Sequence, residues 1–234
     1  MDLTVKYVHK NEVHNINASG EVVPILVDLF NPQSVLDVGC GIGTWLKSFT
    51  NAGVSKILGL DGDYVNRDLL NNYISLEQFQ ATDLNNPFNL EQKFDLVISL
   101  EVAEHLPESS AQYFVESLCK HGDLIVFSAA LPGQGGQNHL NEQYKSYWIQ
   151  KFDLLGYRAF DLLRPRIWDN IKVDWWYKQN IIVFSNKDLS HLKVKEYPFF
   201  DVIHPGLLSQ NLEYITYLKQ YINELETKLY SGKE

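Results

Sequence analysis

The chain is short of three things, and each shortage narrows what it does. Only two of its 234 residues are cysteine, Cys40 and Cys119. Two cysteines build no disulfide framework, so the expected compartment is the reducing cytoplasm. Long apolar runs are missing as well. Residues 1–17 hold no apolar core of the kind a secretory leader needs, and the run over 22–30 is broken by Pro24 and Asp28. Neither a signal peptide nor a membrane span is expected. Positive charge is the third shortage, with a formal net charge of −9. A general nucleic-acid surface needs a basic patch, so this balance counts against one and leaves room only for a local site.

The rest is an ordinary globular composition, 45% hydrophobic and 21% charged, long enough for one α/β domain with a sizeable core. A buried-strand run over 34–38 ends in Asp37 and Val38. Glycines follow at 39, 41 and 43, and a helical pattern starts at Thr44. Glycines at a strand-to-helix turn let a ligand approach the backbone, and the helix N-terminus beyond offers free N–H groups. The spacing G-x-G-x-G differs from the dinucleotide G-x-G-x-x-G, which disfavours a nicotinamide oxidoreductase. Asp37 is placed to take a cationic ammonium. Further strands are expected over 56–61, 74–79, 93–100, 122–128, 156–162 and 181–185, with helices over 21–30, 44–52 and 108–120 and another holding Tyr144, Tyr147 and Trp148. Strands alternating with helices in this way predict a doubly wound sheet. Asp61 ends the second strand, where such a fold holds ribose hydroxyls, and its charge makes it a strong acceptor.

Two segments carry a family resemblance. D-V-G-C-G-I-G over 37–43 resembles motif I of the class I S-adenosylmethionine-dependent methyltransferases. F-D-L-V-I-S-L-E-V-A-E-H-L-P over 94–107 resembles their fourth-strand segment, where methyl donor and acceptor meet. The resemblance covers residues 21–185. It implies a Rossmann-like, mostly parallel seven-stranded sheet with an antiparallel last strand. It implies cofactor contacts at Asp37, Gly39, Cys40, Gly41, Gly43, Thr44, Trp45, Asp61, Gly62 and Leu100. It also places Asp83 on the adenine amino group and Leu84 against the ring.

Two sets of residues are candidates for the chemistry, with Glu101, His105 and His139 as the catalytic choices. If a helix starts at the end of strand four, Glu101, Glu104 and His105 share one face. Two carboxylates and an imidazole suit a divalent metal such as magnesium or manganese, with His139 of the Gly-rich 129–143 loop completing the set. E-x-x-E-H with a later His resembles the metal site of small-RNA 3′-end 2′-O-methyltransferases. E-x-x-E-H alone resembles ubiquinone-pathway catechol O-methyltransferases. In both, the metal grips neighbouring hydroxyls. The plainer reading is packing and cofactor contact without a metal. His139 is alternatively a general base, since an imidazole titrates near ~6.5. The ligand and base roles largely exclude each other.

Gln134, Asn141, Trp148, Arg164, Trp176, Tyr177 and Gln179 are expected to form the acceptor pocket, with Arg166 and Asn180 beside them. The segment over 94–180 resembles methyltransferases of surface-polysaccharide and sugar-nucleotide pathways. That implies a small acceptor: a hydroxyl of a nucleotide-activated sugar or glycan precursor. A phosphate or phosphoramidate acceptor, an RNA 2′-O-methyltransferase and a non-catalytic oligomerisation module are the alternatives. Leu208, Ile215, Ile222 and Leu229 recur every seven residues, with Leu218 and Leu225 between them. They predict an amphipathic C-terminal helix that either packs on its own domain or pairs as a coiled coil. The expected division is a lead-in or lid over 1–20, the methyltransferase domain over 21–200 and the helix over 201–234. That helix leads to a homodimer or to a further domain.

Overall fold

The structure is a computed structural model and describes residues 15–192 and 200–231. Most of the expected lead-in, with His9 and His14, lies outside the described residues, as does the expected domain boundary near residue 200 on its N-terminal side. Seven strands form one sheet: β1 (Ser34–Val38), β2 (Lys56–Asp61), β3 (Phe79–Ala81), β4 (Leu96–Leu100), β5 (Leu124–Ser128), β6 (Arg158–Phe160) and β7 (Ile182–Ser185). Their order is β3-β2-β1-β4-β5-β7-β6. All neighbours are parallel except β7, which runs antiparallel to both β5 and β6. The expected fold class is the observed one.

The eight helices of the described residues are α1 (Asn17–Phe30), α2 (Thr44–Asn51), α3 (Arg67–Leu70), α4 (Ala111–His121), α5 (Lys145–Asp153), α6 (Arg164–Ile167), α7 (Trp175–Asn180) and α8 (Pro205–Ser231). The inner strands β1, β2, β4, β5 and β7 are largely buried on both faces because helices cover both faces, while the short strands β3 and β6 are more exposed. Val35, Leu96, Ile98, Val126 and Val183 point to the layer of α1 and α2, where Val22, Leu26, Leu46 and Phe49 meet them. Leu36, Val97, Ile125, Phe127 and Phe184 point the other way, onto Phe114, Leu118, Trp148 and Phe152 of α4 and α5. The period-two alternation of the strands thus divides two cores. None of the helices is long and apolar enough to cross a membrane, among the described residues.

Two expectations fail locally, for physical reasons. The third strand does not begin at residue 74. Residues 76–78 form a 3-10 turn, and only Phe79–Ala81 is strand. Ser75 and Gln78 make a capping box in which Gln78 Oε1 accepts the Ser75 N–H at 3.0 Å, so the backbone turns before it extends. Nor does a helix leave β4 directly. Glu101 takes the left-handed conformation at φ 55°, a single 3-10 turn covers Ala103–His105, and α4 starts only at Ala111. Pro107 holds Leu106 extended at ψ 148°, which prevents a continuous helix.

One buried charge is at odds with the fold. Lys145, the first residue of α5, is 4% exposed, and its ammonium has no hydrogen-bond partner among the described residues. Burial, with the Arg164 charge second, pulls it down to about 7. Above that pH the unfolded chain binds a proton that the folded chain does not, so folding stability rises from pH 7 towards the ordinary lysine range. Lys145→Met is expected to stabilise the fold at pH 7 by about 1–3 kcal/mol. Denaturant titrations across pH 7–10 should show a shallower slope in the variant than in the wild type.

Candidate active site

The strand order reverses between β1 and β4, and a cleft of about 1160 Å³ opens there at the carboxyl ends of the strands, the usual ligand position of an open α/β sheet. Gly39, Gly41 and Gly43 turn the chain with φ of 86°, 54° and 86°. A Cβ on Gly39 would lie 2.2 Å from Val102 Cγ2, and one on Gly43 would lie 2.9 Å from Ile74 Cγ1. Two of the three glycines are therefore demanded by the protein's own packing. The Gly41 N–H donates to Asp61 Oδ2 at 2.7 Å. Asp61 Oδ1 accepts the Gly62 N–H at 2.6 Å and the Tyr64 hydroxyl at 2.8 Å. The carboxylate is thus fixed in the cleft wall, Oδ1 by two donors and Oδ2 by Gly41.

Asp37 is buried and its Oδ2 has no partner among the described residues. Burial, then the charge of Asp61, pushes its carboxyl well up. An orphaned acid beneath a left-handed glycine turn fits a ligand that brings a positive charge. Asp37 itself is not among the cleft-lining residues; of the expected cofactor contacts, Cys40, Thr44, Trp45, Gly62, Leu84 and Leu100 are. Burial raises the Cys40 thiol well above its ordinary range, so it acts as a packing group and not a nucleophile. Asp83 lines the cleft as well. Its oxygens accept the Asn85 N–H and the amides of Asn85 and Asn86, and the Asn85 bonds hold its carboxyl below the usual range.

At the other end stand the candidate ligands. Glu104 is fully buried, and neither carboxylate oxygen has a hydrogen-bond partner among the described residues. Burial, then the Glu101 charge, raises its carboxyl strongly. Ligand atoms of Glu104, His105 and His139 lie within 4.8 Å of one another, and the two imidazoles stand edge to face at 4.9 Å. Glu142 Oε1 meets His139 Nδ1 at 2.8 Å, which leaves Nε2 as the ligating or basic nitrogen. Glu142 also accepts the Gly133 and Gly135 N–H groups at 2.8 Å each, and so shapes the loop that carries His139. The donor set of one carboxylate and two imidazoles, with an uncompensated buried acid, fits a divalent cation.

Glu101 is not one of the three. Its left-handed backbone turns its carboxylate onto amides: Gln134 Nε2 donates at 2.8 Å and Asn180 Nδ2 at 3.1 Å. Several expected acceptor residues are also placed elsewhere. Arg164 is buried in a two-pronged pair with Asp161, at 3.0 and 2.7 Å, and donates to the Phe200 carbonyl at 2.8 Å. Trp148 packs against Phe127 in the core. Asn141 is buried and accepts from Gln143. Gln179 is buried, with its Nε2 on Gln134 Oε1. Of the acceptor candidates, Gln134, Trp176 and Tyr177 do line the cleft. Tyr64, Val102, Asp174, Trp175 and Gln210 line it too and were not expected. Asp174 precedes the Trp-Trp-Tyr run, a signal that was available. Gln210 lies on the C-terminal helix, and nothing local to it points to the cleft.

The family model of the methyltransferase domain matches residues 19–161. A ubiquinone biosynthesis O-methyltransferase of Dictyostelium discoideum is 30% identical over 131 residues, which is 50% of this chain and 39% of the relative. One from Yersinia pestis is 32% identical over 102 residues, 41% of this chain and 42% of the relative. The chain thus spans less than half the length of these curated relatives. Among solved structures, a sugar N-methyltransferase from a Streptoalloteichus species has a TM-score of 0.58 at 12% identity, covering 80% of this chain and 99% of that one. The methyltransferase domain of a bacterial Hen1 protein has a TM-score of 0.54 at 18% identity, covering 73% and 100%. These folds superpose on the sheet and helices described above, and the chain belongs to the methyltransferase domain family, as an S-adenosylmethionine-dependent methyltransferase domain with a Rossmann-like fold.

Proposed function

We propose that the domain transfers the methyl group of S-adenosylmethionine to a hydroxyl of an uncharged, polyhydroxylated small acceptor such as a sugar ring of a glycan precursor, with a divalent cation held by Glu104, His105 and His139. The observation that carries the reading is the buried, unpaired Glu104 carboxylate beside two imidazoles at the end of β4. The relatives named as O-methyltransferases support oxygen as the acceptor atom, and the fold neighbours named as sugar methyltransferases support a sugar.

The charge of the cleft lining supports an uncharged acceptor. Asp61, Asp83, Glu101, Glu104 and Asp174 line it, and among the described lining residues there is no lysine or arginine. An anionic acceptor group would meet repulsion and no donor fork. This lining counts against an acceptor phosphate or an RNA backbone in the cleft. In this reading the bound sulfonium supplies an electrophilic methyl group, and a bound cation makes the hydroxyl more acidic. Asp61 and the glycine turn hold the cofactor. Trp176 and Tyr177 wall the acceptor side and exclude water. Gln134 and Asn180 fix the Glu101 carboxylate.

A second reading rests on the His139–Glu142 contact at 2.8 Å: Glu142 holds Nδ1 while Nε2 takes the hydroxyl proton directly. Mass spectrometry of acceptors incubated with S-adenosylmethionine separates the two. Methylated sugar that disappears with chelator and returns with magnesium or manganese supports the metal; product indifferent to chelator leaves His139 as the base. Glu104→Gln is expected to lower turnover by about a hundredfold, with unchanged S-adenosylhomocysteine affinity by calorimetry. Asp61→Ala should do the reverse in the binding assay, weakening S-adenosylhomocysteine by roughly tenfold or more. If affinity is unchanged, Asp61 is not at the ribose. A domain that binds neither cofactor nor product would be a non-catalytic module.

A further inference from the structure

Among the described residues, helix α8 is anchored at its root. Leu207 is buried, the His204 N–H donates to Gln179 Oε1 at 2.8 Å, and Gln210 Nε2 donates to the Gln134 carbonyl at 3.0 Å. From there the helix runs to Ser231, about 30 Å at the α-helical rise. Its side chains beyond Asn211 are exposed except for half-buried Leu218. Ile215, Ile222, Leu225 and Leu229 are 45%, 52%, 46% and 61% exposed. They form one seam with Leu218, at alternating spacings of three and four. Most of a helix's stability in a protein comes from burying such a seam.

We propose that this seam is covered by α8 of a second copy of the chain, packed antiparallel. Charge settles the occupant and the direction. With Ile215 and Ile222 at position a and Leu218 and Leu225 at position d, Lys219 and Glu226 both fall at position e. In an antiparallel pair, position e faces position e, so Lys219 of each copy opposes Glu226 of the second copy, twice by symmetry. In a parallel pair, position g faces position e, and Tyr214 and Tyr221 occupy g. That arrangement sets tyrosine against both charges and makes no ion pair. A self-complementary seam that carries both signs at the same heptad position is what a two-fold contact between identical helices requires.

The test uses the full chain and sedimentation equilibrium. The wild type is expected to dimerise reversibly. Lys219→Glu and Glu226→Lys each place like charges opposite one another, and each should raise the dimer dissociation constant roughly tenfold. The double variant Lys219→Glu/Glu226→Lys restores both pairs and should return to within about twofold of the wild type. Ile222→Asp should give a monomer that still binds S-adenosylhomocysteine normally, which shows that the domain remains folded. A wild-type chain that stays monomeric at about 100 μM, or assembles beyond a dimer, overturns the proposal. So does a dimer untouched by Ile222→Asp, or single charge variants without effect on the dissociation constant.

Discussion

The Asp61 carboxylate, bonded to the Gly41 N–H at 2.7 Å and the Gly62 N–H at 2.6 Å, holds the end of β2 against the turn that leaves β1. The rest of the cleft is registered from that contact. With the turn fixed in its left-handed path, Gly39 presents a bare backbone on which Val102 packs, so closely that a Cβ would overlap it. Val102 follows Glu101 and precedes Glu104. One chain of contacts therefore sets the cofactor end and the acceptor end in a single frame. Neither end can shift by much without opening a void or a clash in the other.

Charge is distributed with equal consequence. Acids gather around the cleft, and the nearby arginine that would neutralise them is buried elsewhere, in its pair with Asp161. Asp37 and Glu104 are each held above the ordinary carboxylate range, burial first and a neighbouring acid second. A protein keeps such groups when a cation relieves them, because binding then returns free energy that the empty fold lacks. The acids that line the cleft therefore make it a negatively charged pocket, with Trp176 and Tyr177 as its aromatic walls.

The inner strands are legible because they are continuous apolar runs buried on both faces. The glycine turn and Asp61 were legible because their spacing has a mechanical reason. The misread positions share a different cause. Ser75 and Gln78 bind each other's backbone, a local exchange that overrode the apolar pattern of a third strand. Glu101 was assigned a helical face, but its positive φ and Pro107 break the helix that would have aligned it with Glu104. Arg164, Trp148 and Gln179 have the chemistry of binding groups. Burial, which depends on tertiary packing, turned them into structural ones. Gln210 reached the cleft only through the path of a distant helix.

The Gly-rich loop after β5 shows how these constraints meet. A loop of this composition has much conformational entropy to lose. One side chain removes most of that freedom: Glu142 accepts the N–H groups of Gly133 and Gly135 and meets the His139 ring. Gly136 lets the loop close, since a Cβ there would lie 2.2 Å from His139 Nε2. Gln134, in the same loop, donates to Glu101 and receives a bond at its carbonyl from Gln210 of α8. The root of the C-terminal helix is thus hydrogen-bonded to the loop that carries the His139 imidazole. A helix that looks peripheral in the sequence is mechanically continuous with the site.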